Sequence, residues 1–121
     1  MRFTKNMENG VLTVTLYGEL DHHGAFEVRS GIDAAIDSEH PQKVVLRLSE
    51  VHFCDSSGLG LLMGRYRKAL LAGVPLAVLD PSEAVARIMR LAGLDKLIKT
   101  ERSDLNERNR EYDKTRNREG A

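Results

Sequence analysis

Apolar residues along this chain follow two rhythms. Val11-Leu12-Thr13-Val14-Thr15-Leu16-Tyr17 alternates apolar side chains with threonine, the period-two pattern of a half-buried strand. Arg2–Lys5 can pair with it across Asn9-Gly10, a dipeptide suited to the left-handed backbone of a tight turn, so the N-terminus reads as a β-hairpin. Lys43–Leu48 (KVVLRL) is a second strand pattern and Val74–Leu79 (VPLAVL) a third. Pro75 stands near the start of the latter, where a missing N–H does little damage.

The second rhythm is helical. Ala25, Val28, Ile32, Ala35 and Ile36 form one apolar stripe from about 24 to 38. Leu59, Leu62, Met63, Tyr66, Ala69 and Leu70 form another that stops before Gly73. A third helix is announced by Asp80-Pro81-Ser82-Glu83, read as an N-cap acid, proline at the first helical position and Glu at the third. It ends at Gly93, a left-handed C-cap with Leu94 placed for the apolar contact, and a short strand is expected at Lys96–Lys99. Strands alternating with helices imply parallel pairing through right-handed crossovers. The expected fold is α/β: a mixed, mostly parallel sheet of four to five strands, opened by the N-terminal hairpin and packed by helices.

After Arg102 the rhythm stops. Leu105 and Tyr112 are the only large apolar residues in a run of Arg, Asn, Asp and Glu. Residues 1–101 therefore read as the domain and 102–121 as a polar extension, partly helical (Ser103 to about Tyr112) or disordered (Arg116–Ala121).

Composition narrows the function. At 121 residues the chain has the length of one domain, and its 18 basic and 18 acidic residues cancel. No global field recommends nucleic acid as a direct partner. Cys54 is the single cysteine, which excludes an internal disulfide and a four-thiolate zinc site and suits a reducing compartment. The start, MRFTKNMENG, lacks the apolar stretch of a signal peptide, and no run approaches the ~18 apolar residues of a membrane span. A cytoplasmic protein is expected.

The chemistry concentrates at FCDSSGLG, residues 53–60. Asp55, Ser56 and Ser57 follow a strand and a short connection (Ser49–Cys54) and stand at the start of a helix. Two readings compete there: the residues are N-caps, which Asp and Ser favour, or a hydroxyl is a phosphoacceptor at a helix end that welcomes anions. Each glycine inside the helix costs ~1 kcal/mol relative to alanine. Such glycines point to close backbone approach: Gly64, on one face with Gly60, is read as a site of helix-on-sheet packing, while for Gly58, beside the serines, keeping the loop open to a partner stands as a further role. Neither serine lies in G-x-S-x-G, and there is no Walker A loop or G-x-G-x-x-G, so catalysis by this chain is not expected.

In GELDHH, residues 18–23, Asp21 reads as the cap of the first helix. His22 and His23 diverge as neighbours, lack an H-x-x-x-H partner, and read as a solvated first turn rather than a metal site. His40 and His52 are isolated, and Cys54, between Val51, Phe53 and the helix, reads as a small buried hydrophobe. Arg65, Arg67 and Lys68 read as a solvated face, with a charged rim for a protein partner as the alternative.

Taken together, GELDHH, DSSGLG with its continuation GRYRKAL, and SEAVARIMRLAGL resemble the STAS-domain anti-sigma factor antagonists over about residues 3–100, with GELDHH pointing to the sporulation branch. The resemblance implies the STAS fold and a switch protein rather than an enzyme. It implies that Ser56, the first serine of the motif, is phosphorylated by a partner that is both anti-sigma factor and serine kinase. ATP and Mg²⁺ would belong to that kinase, this chain would need no cofactor, and a serine phosphatase would restore the binding form. The implied partner surface comprises Glu19, Asp21, His22, His23, Asp55, Ser57, Gly58 and Leu59. Two alternatives stand beside it: a STAS domain of another partner-switching or transporter-associated complex, and a small serine hydrolase or nucleotide-binding enzyme.

Overall fold

The computed structural model describes residues 1–103. Strands β1 (Arg2–Glu8) and β2 (Val11–Leu20) form an antiparallel hairpin with Glu8 opposite Val11. Asn9 and Gly10 have φ of 52° and 80°, so both loop residues are left-handed, as a two-residue turn matched to strand twist requires. The chain continues through helix α1 (His22–Glu39), β3 (Lys43–Cys54), α2 (Ser56–Leu71), β4 (Leu76–Leu79) and α3 (Glu83–Leu91), then a 3₁₀ turn (Leu94–Lys96) and β5 (Lys99–Glu101). The sheet order is β1-β2-β3-β4-β5, with every pair after the first parallel.

Alternate strand residues build one core. Leu12, Val14 and Leu16 of β2, Val44, Leu46 and Leu48 of β3, and Leu76 and Val78 of β4 join side chains from all three helices. From α1 come Val28, Ile32, Ala35 and Ile36, from α2 Leu61, Leu62 and Ala69, and from α3 Val85 and Met89. Thr13, Thr15 and Tyr17, the intervening residues of β2, stay half-buried. Leu70, expected in the apolar stripe of α2, is 61 % exposed, and Leu61 takes the inward place.

β4 opens at Leu76, so Val74 and Pro75 precede the expected strand instead of starting it, and three further boundaries differ from the sequence expectation. First, residues 49–54 are strand rather than connection. Gly18, Glu19 and Leu20 pair with Val51, Phe53 and Cys54, past two register shifts that keep Val51 and Cys54 facing inward. Second, Ser82, not Asp80, caps α3. The Ser82 hydroxyl accepts from the Val85 N–H at 3.3 Å and donates to the Val51 carbonyl, and its own N–H donates to the Leu48 carbonyl at 3.2 Å. Asp80 is left-handed (φ 46°) and accepts from the N–H and hydroxyl of Ser103, each at 2.7 Å, so Pro81 precedes the helix instead of opening it. Third, the last strand begins at Lys99 rather than Lys96. Gly93 is left-handed (φ 75°) as expected and Leu94 is buried, but the N–H groups of Leu97 and Ile98 both donate to the Leu94 carbonyl and hold that stretch in a turn. The expected helix toward Tyr112 and the expected disorder at 116–121 lie outside the described residues.

Candidate functional site

The extension of β2 and β3 has a direct consequence. Leu20 pairs with Cys54, so the two residues that follow, Asp21 and Asp55, leave the sheet side by side at the carboxyl ends of adjacent parallel strands. The Asp55 N–H donates to the Leu20 carbonyl at 3.3 Å, which ties the two junctions together. Openings of this kind, outside the carboxyl ends of strands, are where α/β sheets present their functional residues.

The two junctions are built alike. Asp21 caps α1 and its carboxylate accepts from the Gly24 N–H at 2.8 Å. Asp55 caps α2, and one carboxylate oxygen accepts from the N–H groups of Ser57 (2.9 Å) and Gly58 (3.2 Å). In each case an aspartate bonds the glycine three residues on, so DHHG and DSSG are the same device used twice. Ser57 contributes its backbone, not its hydroxyl, to the cap.

Both glycines are forced by close approach. A Cβ on Gly24 would stand 2.2 Å from the Glu19 carbonyl oxygen. One on Gly58 would stand 2.4 Å from the Leu20 carbonyl oxygen and 2.7 Å from the Cys54 Sγ. Gly58 is therefore a packing glycine that seats α2 against the end of β2, not a residue that holds a loop open. Gly64, expected to pack on the sheet, does the reverse: a Cβ there, or on Gly60, would meet nothing within 4 Å. Gly24 escaped the sequence reading, although the repeated D-x-x-G spacing was its signal.

With Asp55 as cap, Ser56 is the first helical residue and is exposed, with no protein group bonded to its hydroxyl among the described residues. Glu19, His22 and His23 are exposed on the neighbouring junction, Asp21, Asp55, Ser57 and Leu59 are half-buried, and Gly58 is buried. His23 lies 3.6 Å from Glu27, one turn along α1. No imidazole is hydrogen-bonded to the Ser56 or Ser57 hydroxyl among the described residues. Cys54 is buried, and burial, with the neighbouring Asp55 charge adding to it, pushes its thiol up to about 11, which keeps it protonated at neutral pH. No group of three or more His, Cys, Asp or Glu residues able to hold a metal occurs among the described residues.

Arg65 departs from its sequence reading. It is only 5 % exposed and pairs with Asp33 of α1 at 2.6 Å, joining the two helices. Burial lowers its pKa, Asp33 opposes that and the Arg29 charge reinforces it. Lys68 reaches Asp37 at 3.0 Å in the same seam, while Arg67 is exposed.

Residues 2–106 match the family model described as STAS domain. The anti-sigma F factor antagonist of Paenibacillus polymyxa is 43 % identical over 89 residues, covering 74 % of this chain and 76 % of the relative. The structure of the anti-sigma factor antagonist SpoIIAA in its unphosphorylated form superposes with a TM-score of 0.72 at 27 % identity, covering 96 % of this chain and 97 % of that one. The phosphorylated form of SpoIIAA, described as a Bacillus cell fate determinant, superposes with a TM-score of 0.67 at 26 % identity, covering 92 % and 99 %. The family model over residues 2–106 and the 43 % identical relative show that the chain belongs to the STAS-domain family, within its anti-sigma factor antagonists.

Proposed function

We propose that this chain binds an anti-sigma factor that is also a serine kinase, releases the sigma factor by doing so, and is switched off by phosphorylation of Ser56. The observation that carries the proposal is the placement of Ser56: exposed, at the first position of α2, with its hydroxyl unengaged, in a chain 43 % identical to an anti-sigma F factor antagonist. In the transfer, the Ser56 oxygen attacks the γ-phosphorus of ATP held by the partner with Mg²⁺. The new P–O bond forms as the bond to ADP breaks, and the hydroxyl proton passes to a base on the kinase. A serine phosphatase reverses the step. The chain acts as a substrate and binding module in the cytoplasm, needs no cofactor and performs no catalysis. Among the described residues no helix is long and apolar enough to cross a membrane.

The switch works through charge. A phosphoryl group adds about −1.5 to −2 to a surface that already carries Asp55, Asp21 and Glu19, and a closed interface would have to desolvate it. Refolding is not required: SpoIIAA matches this fold in both its unphosphorylated and its phosphorylated form. The test is incubation with the anti-sigma factor kinase of the same organism and ATP-Mg²⁺, read by intact mass. A gain of one phosphoryl group, absent in Ser56→Ala, supports the proposal. A gain that persists in Ser56→Ala moves the acceptor elsewhere. Ester turnover blocked by Ser56→Ala would favour a hydrolase instead.

A further inference from the structure

A groove of about 390 Å³ runs between α1 and α2 and opens beside the phosphoacceptor end of α2, where Ser57 forms part of its wall. Its floor is bare because Gly60 and Gly64 line it and carry no side chain. Phe26 stands on its rim with 77 % of its surface in water, near Leu61.

Arg29 and Arg65 line the groove beside His22, and no carboxylate does. Asp33 balances Arg65 from α1, yet the buried Arg65 Nε and Asp33 Oδ1 have no aligned hydrogen bond. Arg29 is exposed and makes no ion pair among the described residues. The surface continues along α2 into a second hollow, with Arg67 beside it and Leu71 84 % exposed at its end. Ser57, Gly60, Gly64, Arg67 and Leu71 recur at helical spacing, and at ~1.5 Å rise per residue they make one face roughly 21 Å long.

We infer that this groove receives an acidic amphipathic helix of the anti-sigma factor partner. The inference rests on the antagonist reading and gives the binding surface its second half. Small or apolar side chains of the incoming helix lie on Gly60 and Gly64, an apolar anchor meets Phe26, and Asp or Glu residues turn toward Arg29 and Arg67. The occupant is helical because walls made of two helices offer no free backbone N–H or C=O. An extended peptide would bury its own backbone unpaired, whereas a helix arrives with its backbone satisfied. Bare glycines let such a helix approach closely. Continuity with Ser57 means the same partner that reaches Ser56 passes over the groove.

The test is binding of the full-length chain to the anti-sigma factor of the same organism by biolayer interferometry at low and high salt. Variants Arg29→Glu, Phe26→Ser and Gly64→Leu are compared with Arg90→Glu on α3, and thermal melts establish that each folds. Arg29→Glu and Gly64→Leu are expected to weaken binding at least about tenfold, Arg29→Glu also flattening the salt dependence, while Arg90→Glu changes little. Wild-type affinity in Arg29→Glu and Gly64→Leu, with Ser56→Glu still blocking the complex, overturns the groove and leaves the antagonist reading standing. Self-association lost in Gly64→Leu without change in partner binding assigns the groove to a second copy and overturns it as well. Failure of the wild type to bind any anti-sigma factor overturns both readings.

Discussion

Three glycines of α2 receive the same substitution with opposite expected outcomes. At Gly58 a new Cβ lands 2.4 Å from the Leu20 carbonyl oxygen, 2.7 Å from the Cys54 Sγ and 2.8 Å from the Leu20 Cγ. The first of these is about 1 Å short of ordinary van der Waals separation. The obstructing oxygen is backbone, in the strand that also accepts the Asp55 N–H, so it cannot swing aside as the end of a side chain would. Overpacking against backbone that cannot yield falls in the upper part of the usual range, about 2–3 kcal/mol, and the helix-propensity gain of Gly→Ala returns ~1 of it. A net loss of about 1–2 kcal/mol is expected, roughly 4–16 °C in Tm for a domain of this size. Gly60→Ala and Gly64→Ala meet open space and should each gain about 0.5–1 kcal/mol from propensity alone. Urea denaturation of the three variants, fitted with a common m-value, measures the contrast. A Gly58→Ala variant as stable as wild type, or Gly60→Ala and Gly64→Ala as damaged as Gly58→Ala, would refute the argument from close approach.

Cys54 gives a pH signature. Its folded pKa of about 11 lies above the ordinary 9.0, so the folded state holds its proton longer than the unfolded chain. The resulting stabilisation is complete below pH 9 and drains away as pH rises toward 11, about 2–3 kcal/mol in all. Denaturation curves at pH 8 and 10.5 should show a smaller alkaline loss in Cys54→Ala than in wild type, and equal losses would contradict the assignment. Asp33→Ala strands the Arg65 guanidinium. The cost should be about 2–3 kcal/mol, below that of a wholly buried pair because the Asp33 side chain keeps 27 % exposure. Arg65→Met in that background should recover part of it, and a double mutant no more stable than Asp33→Ala would argue against the ion-pair account. Phosphorylated and unphosphorylated protein should differ in amide spectra around residues 18–24 and 54–60. Shifts spread across β1 and β4 would sink the charge-switch account in favour of refolding.

What sequence reveals here divides by the range of the interaction that decides it. Asn9-Gly10, the Asp21 cap and the left-handed Gly93 are settled within a few residues, and their patterns announce them. The continuation of β3 to Cys54 is settled by pairing with Gly18–Leu20 across two register shifts, which no local window contains. Asp80 and Ser82 are both acceptable caps two residues apart. The choice falls to Ser82 because it lies against the part of β3 beyond its pairing with β4 and bonds the Leu48 and Val51 carbonyls, while Ser103 takes Asp80. Arg65 resembled Arg67 as a charge on a helix surface, and only Asp33 on another helix accounts for its burial. The placement of Ser56, the proposed phosphoacceptor, was legible for the opposite reason: helix start, acid and hydroxyl are contiguous in the chain. Which glycine beside it is squeezed and which is bare depends on what the fold brings near.

The paired D-x-x-G junctions also decide where the cost of the proposed switch falls. Two helices begin side by side there, and each directs the positive end of its dipole toward the same opening. A phosphate on the first residue of α2 therefore arrives where the domain's own backbone partly compensates its charge, despite Asp55. The folding equilibrium is left nearly indifferent to the modification, and the penalty falls on the complex, whose closed surface must strip the anion of water. Such a protein can be phosphorylated and dephosphorylated repeatedly without enlarging the pool of unfolded chain exposed to proteases. Under the proposed switch, control of the sigma factor would be uncoupled from turnover of the regulator itself.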